Sequence, residues 1–555
     1  MTSSDPDARG FTPEDLSGPT IDRRTTLKLL GAAGMASVAG CLGGGGGGDG
    51  NGSDGGGGGG SGGSGGRLQA GWFTGSIDVL DPPYISVGQY FQVAANVFNG
   101  LVTLKKDLTI RGDLAKDWTV ENGGATIRFD LRKGVTFHNG ATFTAEDVKY
   151  TIQRTISKDT PAASKLSTLK PVDDGGVVVD GDHSVTLNFK QPMAPALVYL
   201  TRGPGRAATI VSKTAIEEMG AEAYKTKPVG TGPFQVREHQ VGSKLVLDAF
   251  DDYFETDEEG NALPYLDGVD VKPIPEAATL VNALRSGEID FANLVPLQNL
   301  EQVEGASGVT ASVSPGVNWY GFAMNETKDT FASRKARLGI AKLVDNEKFV
   351  ETAYFGNALP DTGPINKATE WAWRDDKPST QQYDPEAGKR LVKEAGIEGA
   401  SFSILTAQGD TRAAKAMRQQ LNAAGFDVEI EQVTSSTYWE RYEKLDYDTT
   451  ISGSVGDPDP DQSLYNFYRL PDEGGVWNWV NFQDEKVHQL LADQRRELNR
   501  EKRTKILHEL EDRLIEQAPH AYLMHQNDVA AHTDRVKGFT HIPFMRNFHT
   551  VRLDG

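Results

Sequence analysis

A glycine-rich run over residues 43–66 divides this chain into two parts that must behave differently. The run is broken only by serine, aspartate and asparagine, so it has no apolar side chains to bury and behaves as a flexible coil. Glycine-rich loops can also cradle phosphate groups, but those loops follow a strand and precede a helix, and neither pattern flanks this run. We therefore interpret residues 42–67 as a tether and expect the folded part to begin near Leu68.

Residues 1–41 have the features of an export signal. Arg23 and Arg24 stand just ahead of an apolar segment from Leu29 to Ala39, which suits the core of a signal peptide but is too short to span a bilayer. The arrangement resembles a twin-arginine export signal, in which the paired arginines are read by the translocation machinery.

Cys41 is the single cysteine, which excludes a disulfide within the chain and a multi-cysteine metal site. The preceding residues, Val38 to Gly40, are small, and with Cys41 they resemble a lipobox whose cysteine receives a lipid. The alternative is a buried core cysteine, but the glycine tether that follows cannot form a core. These features predict a lipid-anchored protein whose folded part lies outside the cell.

The length and charge of the chain limit its architecture and its partners. At 555 residues it is too long for one compact domain, and two or three units are expected. The net charge of -20 argues against binding to nucleic acid or to an anionic membrane through a basic face. The acidic composition resembles that of salt-adapted proteins from halophilic archaea.

The folded part alternates strand-like and helix-like patterns, which is typical of α/β proteins. Residues 125–131 alternate in period two and predict a strand, whereas Glu276 to Leu284 predict a helix that Gly287 ends. Thr144 is a predicted helix N-cap, with Asp147 three residues later. No segment after Leu68 is apolar enough for a membrane helix.

One stretch, from Leu114 to Ile152, identifies a family. It contains a Leu-Ala pair, a Trp, a strand ending in Phe-x-Leu-Arg, then Gly-Val-x-Phe-His-x-Gly and Ala-Glu-Asp-Val. This order closely resembles the signature region of the family 5 solute-binding proteins, which are the dipeptide, oligopeptide and nickel receptors of ABC importers. Further similar motifs are Leu80-Asp81-Pro82, Gly230 to Phe234, Ser286 to Asp290, and the segment from Tyr383-Asp384-Pro385 to Ala395-Gly396.

Much of this signature is expected to be structural. Gly134, Gly140 and Gly230 are predicted turn positions with positive φ. Arg132 is expected in an ion pair within the fold, and His138 is expected to be a hydrogen-bonded loop residue.

The resemblance, which covers residues 68–555, implies a two-lobed α/β fold of the periplasmic-binding-protein type (type II, large variant). A ligand would lie between the lobes, and closure would bury it. The implied limits are lobe 1 at 68–315 with a return at 528–555, lobe 2 at 316–527, and an extra subdomain inserted in lobe 1 at about 95–225.

The segment Gly453 to Asp461 contains the first candidate contact. In family members that bind peptides, an aspartate in this loop pairs with the ligand's α-ammonium group, and Asp457 is the best positional match. The spacing departs from the family pattern by one residue, and Ser454 stands where tryptophan is common. Two alternatives remain: a calcium loop opening with Asp457, Asp459 and Asp461, and a proline-rich turn ahead of the next helix.

Aromatic residues supply the other candidates. Trp319 and Tyr320 lie at the implied crossing into lobe 2, where family members line the cleft, and core packing is the alternative. Trp477 and Trp479 flank Asn478, and alternation places both tryptophans on one face, so at least one of them is expected to face the cleft. Trp477 and Asn478 are the candidate contacts from this segment.

The sequence predicts a receptor and no enzyme. It contains no Gly-x-Ser-x-Gly, no His-Glu-x-x-His and no phosphate-binding loop. The resemblance implies a monomer that captures a solute and presents it to permease subunits, with no cofactor, no bound metal and no nucleic-acid partner. A peptide is the first expectation, and an oligosaccharide or a nickel complex is the alternative. Rivals of another class are a lipid-anchored secreted hydrolase and a surface adhesin.

Overall fold

The computed structural model describes residues 65–157, 160, 162–203, 206–408, 411–456, 458–470 and 476–554. Cys41, Arg23, Arg24 and Asp457 lie outside these residues, and so does most of the tether. The strands, in chain order, are β1 Arg67–Trp72, β2 Val102–Leu104, β3 Ile110–Gly112, β4 Ala115–Glu121, β5 Thr126–Leu131, β6 Val177–Val179, β7 Ser184–Asn188, β8 Phe234–Gln240, β9 Lys244–Ala249, β10 Gly268–Pro273, β11 Phe291–Ala292, β12 Val309–Ser314, β13 Asn318–Met324, β14 Ala358–Pro360, β15 Ser401–Ala407, β16 Asp427–Val433, β17 Thr449–Val455, β18 His520–Gln526, β19 Asp528–Thr533, β20 Val536–Lys537 and β21 Arg552–Leu553.

The helices alternate with these strands over most of the chain. In chain order they are α1 Gly88–Ala94, α2 Ala145–Thr155, α3 Ala196–Tyr199, α4 Lys213–Met219, α5 Ala221–Tyr224, α6 Ala277–Ser286, α7 Leu300–Glu304, α8 Asp329–Ala332, α9 Arg334–Leu343, α10 Asn346–Tyr354, α11 Pro385–Glu394, α12 Thr411–Ala423, α13 Ser435–Glu443, α14 Pro460–Tyr468, α15 Glu485–Arg496 and α16 Arg500–Gln517.

The first large sheet joins both ends of the folded chain. Its strand order is β12-β19-β11-β1-β10-β9-β8, with β1 parallel to β10 and β11 and with β19 antiparallel to β11 and β12. Trp72, Phe91 and Phe548 are buried in the core beside it, so residues more than 450 positions apart share one core. We call this part lobe 1.

The second large sheet is formed by the later strands, in the order β14-β18-β13-β17-β15-β16. Strand β15 runs parallel to both β16 and β17, and helix α12 connects β15 to β16, as in an α/β crossover. Cores lie on both faces, one around Phe322 and Phe402 and the other around Trp319 and Leu510. We call this part lobe 2.

The chain passes between the two sheets after β12 and again after β18. Residues 315–317 make the first passage, and Asn527 makes the second. The expected two-lobed α/β architecture is therefore confirmed. In the part of the chain that the structure describes, no helix has both the length and the apolar character to cross a bilayer.

A smaller sheet, of order β4-β5-β7-β6, packs with α2 around its own core within the span from Leu101 to Ile210. In this region the local sequence patterns predicted the secondary structure correctly. The predicted strand is β5, and Thr144 and Asp147 form the predicted capping box at the start of α2. Helix α6 also matches its prediction, with Gly287 in the left-handed conformation just after it.

The signature residues have structural roles, but Gly230 and Arg132 fill these roles in a different way from the one expected. Gly134 and Gly140 have positive φ, whereas Gly230 is required because a Cβ there would lie 2.0 Å from the Val97 carbonyl oxygen. The His138 ring contacts the main chain of the Gly230 loop, and burial lowers its pKa to about 4. Arg132 donates to the Asp113 carbonyl oxygen at 2.7 Å, not to the expected carboxylate.

Candidate functional site

A cavity of about 520 Å³ lies between the two lobes. Lobe 1 contributes few residues to its wall, and lobe 2 contributes most of them. The lining residues are Ser86, Gly88, Phe91, Lys165, Arg206, Tyr320, Ile404, Leu405, Thr406, Ala407, Ala413, Ala414, Ser435, Tyr438, Trp439, Tyr442, Ile451, Ser452, Gly453, Ser454, Gly456, Gln462, Phe467, Trp477, Trp479 and Phe544.

The lobe 2 side of the cavity is built where two parallel strands separate. Strand β15 pairs with β17 at two positions, Ile404 with Thr449 and Leu405 with Thr450. Beyond Thr450, β17 continues along β13, and its residues 451–454 line the cavity. In open α/β sheets, ligands usually bind at the carboxyl ends of the strands, at the point where the strand order reverses.

Aromatic side chains form the floor of this side. Tyr438 and Tyr442 come from α13 and are anchored by their hydroxyls, Tyr438 to Thr450 Oγ1 at 3.0 Å and Tyr442 to Ser452 Oγ at 2.6 Å. Burial raises the pKa of Tyr442 well above its usual value, so its hydroxyl remains a neutral hydrogen-bonding group. Trp479 packs edge-on against Tyr442, with 5.0 Å between ring centroids. This floor suits apolar or planar ligand groups.

Lobe 1 brings positive charge to the opposite wall. The Arg206 guanidinium lies 4.2 Å from the centroid of the Phe91 ring and donates to the Ile85 carbonyl oxygen at 3.1 Å. Lys165 donates to the side-chain oxygen of Gln462, which belongs to lobe 2, and lies 4.9 Å from the centroid of the Tyr199 ring. Among the described lining residues there are two cations and no carboxylate.

The adjacent candidates Trp319 and Tyr320 lie on opposite faces of β13. Tyr320 lines the cavity. Trp319 is only 1% exposed and packs against Phe467, His520 and Tyr522. Successive side chains of a strand point to opposite faces, so only one of the pair can reach the cavity. Trp319 lies in the core of lobe 2, which is the alternative that the sequence left open for it.

The two tryptophans around Asn478 both line the cavity, whereas Asn478 does not. Asn478 is buried, and its side chain bridges the main chain of Phe482, donating to the carbonyl oxygen at 2.8 Å and accepting from the N–H at 3.0 Å. The expected contact of Asn478 with a ligand is thus replaced by a structural role, because both of its polar atoms are engaged in holding the turn.

The segment from Gly453 to Asp461 divides into parts with different roles. Gly453, Ser454 and Gly456 line the cavity, and Asp457 lies outside the described residues. Asp459 caps α14 and pairs with Arg503 at 2.6 Å, while Asp461 pairs with Arg495 at 2.7 Å.

These pairings weigh against the calcium alternative. Guanidinium groups occupy the carboxylate oxygens of Asp459 and Asp461 that a calcium ion would need. Among the described residues, no group of three or more acidic, histidine or cysteine side chains is arranged to hold a metal ion. Pro460 begins α14, so the segment from Pro458 is a turn ahead of a helix.

Sequence reasoning missed most of the lining residues. Phe91, Arg206 and Phe544 come from three separate parts of lobe 1, and no local pattern links them to β17. No sequence pattern marks Phe544, because its φ of 65°, which is unusual for a bulky residue, appears only in the structure. Arg206 shares this left-handed conformation, with a φ of 51°.

Two α/β lobes that enclose a polar and aromatic cavity at their interface define a solute receptor of the binding-protein class. The model for "Bacterial extracellular solute-binding proteins, family 5 Middle" matches residues 109–475, and the chain belongs to this family.

Two relatives illustrate the match in sequence. The chain is 26% identical over 465 residues to the glutathione-binding protein GsiB of Salmonella typhi, which covers 81% of this chain and 87% of the relative. It is 25% identical over 467 residues to GsiB of Escherichia coli O157:H7, with the same coverage.

Solved structures share the fold. The periplasmic binding protein DppA from Helicobacter pylori, in complex with the peptide STSA, superposes with a TM-score of 0.75 at 24% identity and covers 88% of this chain and 98% of that one. The oligopeptide-binding protein AppA from Bacillus subtilis, with a nonapeptide, gives 0.73 at 23% identity, covering 88% and 99%. NikZ from Campylobacter jejuni, with Ni(L-His), gives 0.72 at 20% identity, covering 87% and 96%.

Proposed function

We propose that this chain is the lipid-anchored extracellular receptor of an ABC importer and that its solute is a short peptide. The observation that carries the proposal is the cavity between the lobes, where strand edges, aromatic rings and cationic side chains converge. A peptide offers a matching set of groups: main-chain amides, side chains and a terminal carboxylate.

Three features of the wall support a peptide. Residues 451–454 of β17 line the cavity beyond its pairing with β15, where an extended ligand would pair with the strand by β-strand addition. The rings of Tyr438, Tyr442 and Trp479 suit a ligand side chain. Arg206 and Lys165 suit a carboxylate, since charge-assisted hydrogen bonds to carboxylates are strong. The names of several relatives, which include glutathione-binding and oligopeptide-binding proteins, point to the same class.

The other parts of the proposal concern the export signal, the tether and the limits of the two lobes. Arg23, Arg24 and Cys41 would direct export and lipid attachment, and residues 42–67 would let the receptor reach the permease. We propose lobe limits at 68–315 with 528–555 and at 316–527, supported by the passages at residues 315–317 and Asn527. Ligand binding would favour closed lobes, which present the solute to permease subunits.

A thermal-shift screen of the full chain in high salt tests the proposal. It would compare di- to pentapeptides with oligosaccharides and nickel complexes. A ligand that binds only the folded protein at a hundredfold excess over Kd stabilises it by about 2.7 kcal/mol. We expect peptides to raise Tm, whereas a response only to oligosaccharides or nickel complexes would refute the peptide assignment and leave the receptor in place.

Chemically blocked peptides locate the charged contacts. C-terminal amidation removes the carboxylate, and we expect it to weaken binding about tenfold or more, the effect of losing a hydrogen bond to a charged group. Arg206→Gln should cause a similar loss for the free acid and little further loss for the amide. Arg237→Gln is the matched control, because Arg237 is exposed on β8 and pairs with Asp248. N-terminal acetylation removes the α-ammonium group of the peptide, with which Asp457 is expected to pair. Acetylation and Asp457→Asn should each weaken binding, and the variant should lose little further affinity for the acetylated peptide.

A further inference from the structure

A strained turn near the end of the chain points to the residue that links the two lobes at the cavity. The turn runs from Ile542 to Met545, closed by the Met545 N–H donating to the Ile542 carbonyl oxygen at 2.9 Å. Pro543 is its second residue, and Phe544 is its third, with a φ of 65°. A turn with proline at the second position and positive φ at the third is of type II, where glycine is usual at the third position. Phenylalanine is strained in this position, and residues held in strained backbone conformations cluster at functional sites.

The surroundings hold Phe544 in this conformation. Its main-chain N–H donates to one carboxylate oxygen of Asp528, and the Arg546 guanidinium binds the other. Asp528 is the first residue of β19, directly after the passage of the chain from lobe 2 at Asn527. The Phe544 turn is thus fixed to the point where the chain re-enters lobe 1.

The Phe544 ring is packed between the backbones of two glycines, one from each lobe. A Cβ on Gly88, at the start of α1 in lobe 1, would lie 2.8 Å from the ring. A Cβ on Gly456, after β17 in lobe 2, would lie 2.9 Å from it. All three residues line the cavity. The ring therefore occupies the space that side chains at positions 88 and 456 would need.

We propose that Phe544 is a specificity-determining residue of the receptor: its ring makes the closing contact between lobe 1 and Gly456 of lobe 2, and it limits the size of the enclosed ligand. The ring contacts the Gly456 backbone across the gap between the lobes, so the contact exists when the lobes are together. Because the ring is also part of the wall, it restricts the cavity to short peptides. This inference rests on the proposed function for the identity of the ligand, but not for the closing contact.

The test compares two phenylalanines that share the left-handed conformation. Phe544→Gly removes the ring and relieves the strain, so it is compatible with folding. Phe355→Gly is the matched control, because Phe355 has a φ of 56°, is 48% exposed at the end of α10, and does not line the cavity. A second variant, Gly88→Ala, adds a methyl group against the ring in an ordinary backbone conformation.

Two measurements on the full chain judge the inference. The first is the distance between spin labels on the two lobes, at Glu276→Cys and Glu398→Cys in a Cys41→Ser background; both sites are exposed. The second is peptide affinity as a function of length. We expect Phe544→Gly to reduce the closed population, to weaken the best peptide about tenfold, as cavity-wall changes do, and to shift the preference toward longer peptides. Gly88→Ala should weaken binding in the wild-type background and have no effect in Phe544→Gly.

The outcomes separate this inference from the proposed function. If Phe544→Gly has the same distance distribution as wild type and Phe355→Gly, the closing contact is refuted, whether or not peptides bind. An unchanged length preference refutes the size limit. If wild type binds no peptide but Phe544→Gly still loses the closed population, the peptide assignment fails and the closing contact stands.

Discussion

Asn318 and Gln526 are joined by two hydrogen bonds where the chain passes between the lobes. Asn318 Nδ2 donates to the Gln526 carbonyl oxygen, and the Gln526 N–H donates to Asn318 Oδ1, both at 2.7 Å. Asn318 begins β13 and Gln526 ends β18, so one side chain ties the two passing strands together at the hinge. The link fixes the relative position of β13 and β18 where the chain passes between the lobes.

Replacing Asn318 should therefore destabilise the protein at the hinge. Asn318→Ala removes both hydrogen bonds, and we expect the free energy of unfolding to fall by about 2 kcal/mol, at roughly 1 kcal/mol for each bond. Urea denaturation followed by circular dichroism measures the change. Asn357→Ala is the control, because its half-buried side chain donates to the carbonyl oxygen of Phe355, two residues away. Equal effects of the two substitutions would contradict a special role for the Asn318 link.

The two faces of β13 should respond differently to substitution. Trp319→Ala opens a cavity in the core of lobe 2, and we expect a loss of about 3–5 kcal/mol in unfolding free energy. Trp439→Ala removes a ring that is 53% exposed at the cavity, so stability should change by about 0.5 kcal/mol or less while ligand affinity falls. Denaturation and peptide titration of both variants check the contrast. A Trp319→Ala protein of normal stability would show that this residue is not part of the core.

A buried carboxylate next to the cavity should make the protein sensitive to acid. Burial alone would raise the pKa of Asp461, but Arg495 and the Tyr199 hydroxyl lower it by more, so its pKa lies below the usual value. A depressed pKa means that the stabilisation is present above the unfolded pKa and is lost as pH falls through the folded pKa. Asp461→Asn should cost about 3 kcal/mol or more at neutral pH, because it leaves the buried Arg495 charge without a carboxylate.

Denaturation of wild type and Asp461→Asn between pH 7 and pH 2 measures this effect. The difference between the two proteins should shrink as pH falls, since protonation removes the same charge from wild type. Asp446→Asn is the control, because Asp446 is exposed and pairs with Arg441 at the surface. A difference that stays constant down to the lowest pH would contradict the assignment.

Ionisation of Glu326 should make the stability of the protein depend on pH with a sign opposite to that of Asp461. Burial raises the pKa of Glu326 to about 7, and the neighbouring Arg337 offsets only part of this effect. Between the unfolded pKa and pH 7 the folded protein binds more protons than the unfolded chain, so stability falls as pH rises through this window, by up to about 1.4 kcal/mol per pH unit. Glu326→Gln cannot ionise, and we expect it to flatten the profile between pH 5 and pH 8.

Urea denaturation at intervals of pH checks the Glu326 prediction. Glu347→Gln serves as a control in lobe 2, because this acidic residue is in the first, exposed turn of α10. The prediction is wrong if the slope of stability against pH is the same in Glu326→Gln and in wild type.

The sequence by itself determined the local elements and the family. The Thr144 capping box, strand β5 and the end of α6 at Gly287 each depend on residues within a few positions of one another, so a linear pattern is sufficient to recognise them. The signature from Leu114 to Ile152 is also continuous, which is why it indicated the two-lobed fold before any contact was known. The charge and the single cysteine excluded other classes in the same way.

Only the tertiary structure decided which residues line the cavity. Trp319 and Tyr320 are adjacent aromatic residues, and the alternation of a strand places them on opposite faces without saying which face is core. That choice depends on Phe467 and Tyr522, which pack on Trp319 from distant parts of lobe 2. Phe544 meets Gly88 and Gly456 only after the chain has crossed twice between the lobes. A binding site built from such long-range contacts is specified by the packing of the lobes, which no local spacing in the chain encodes.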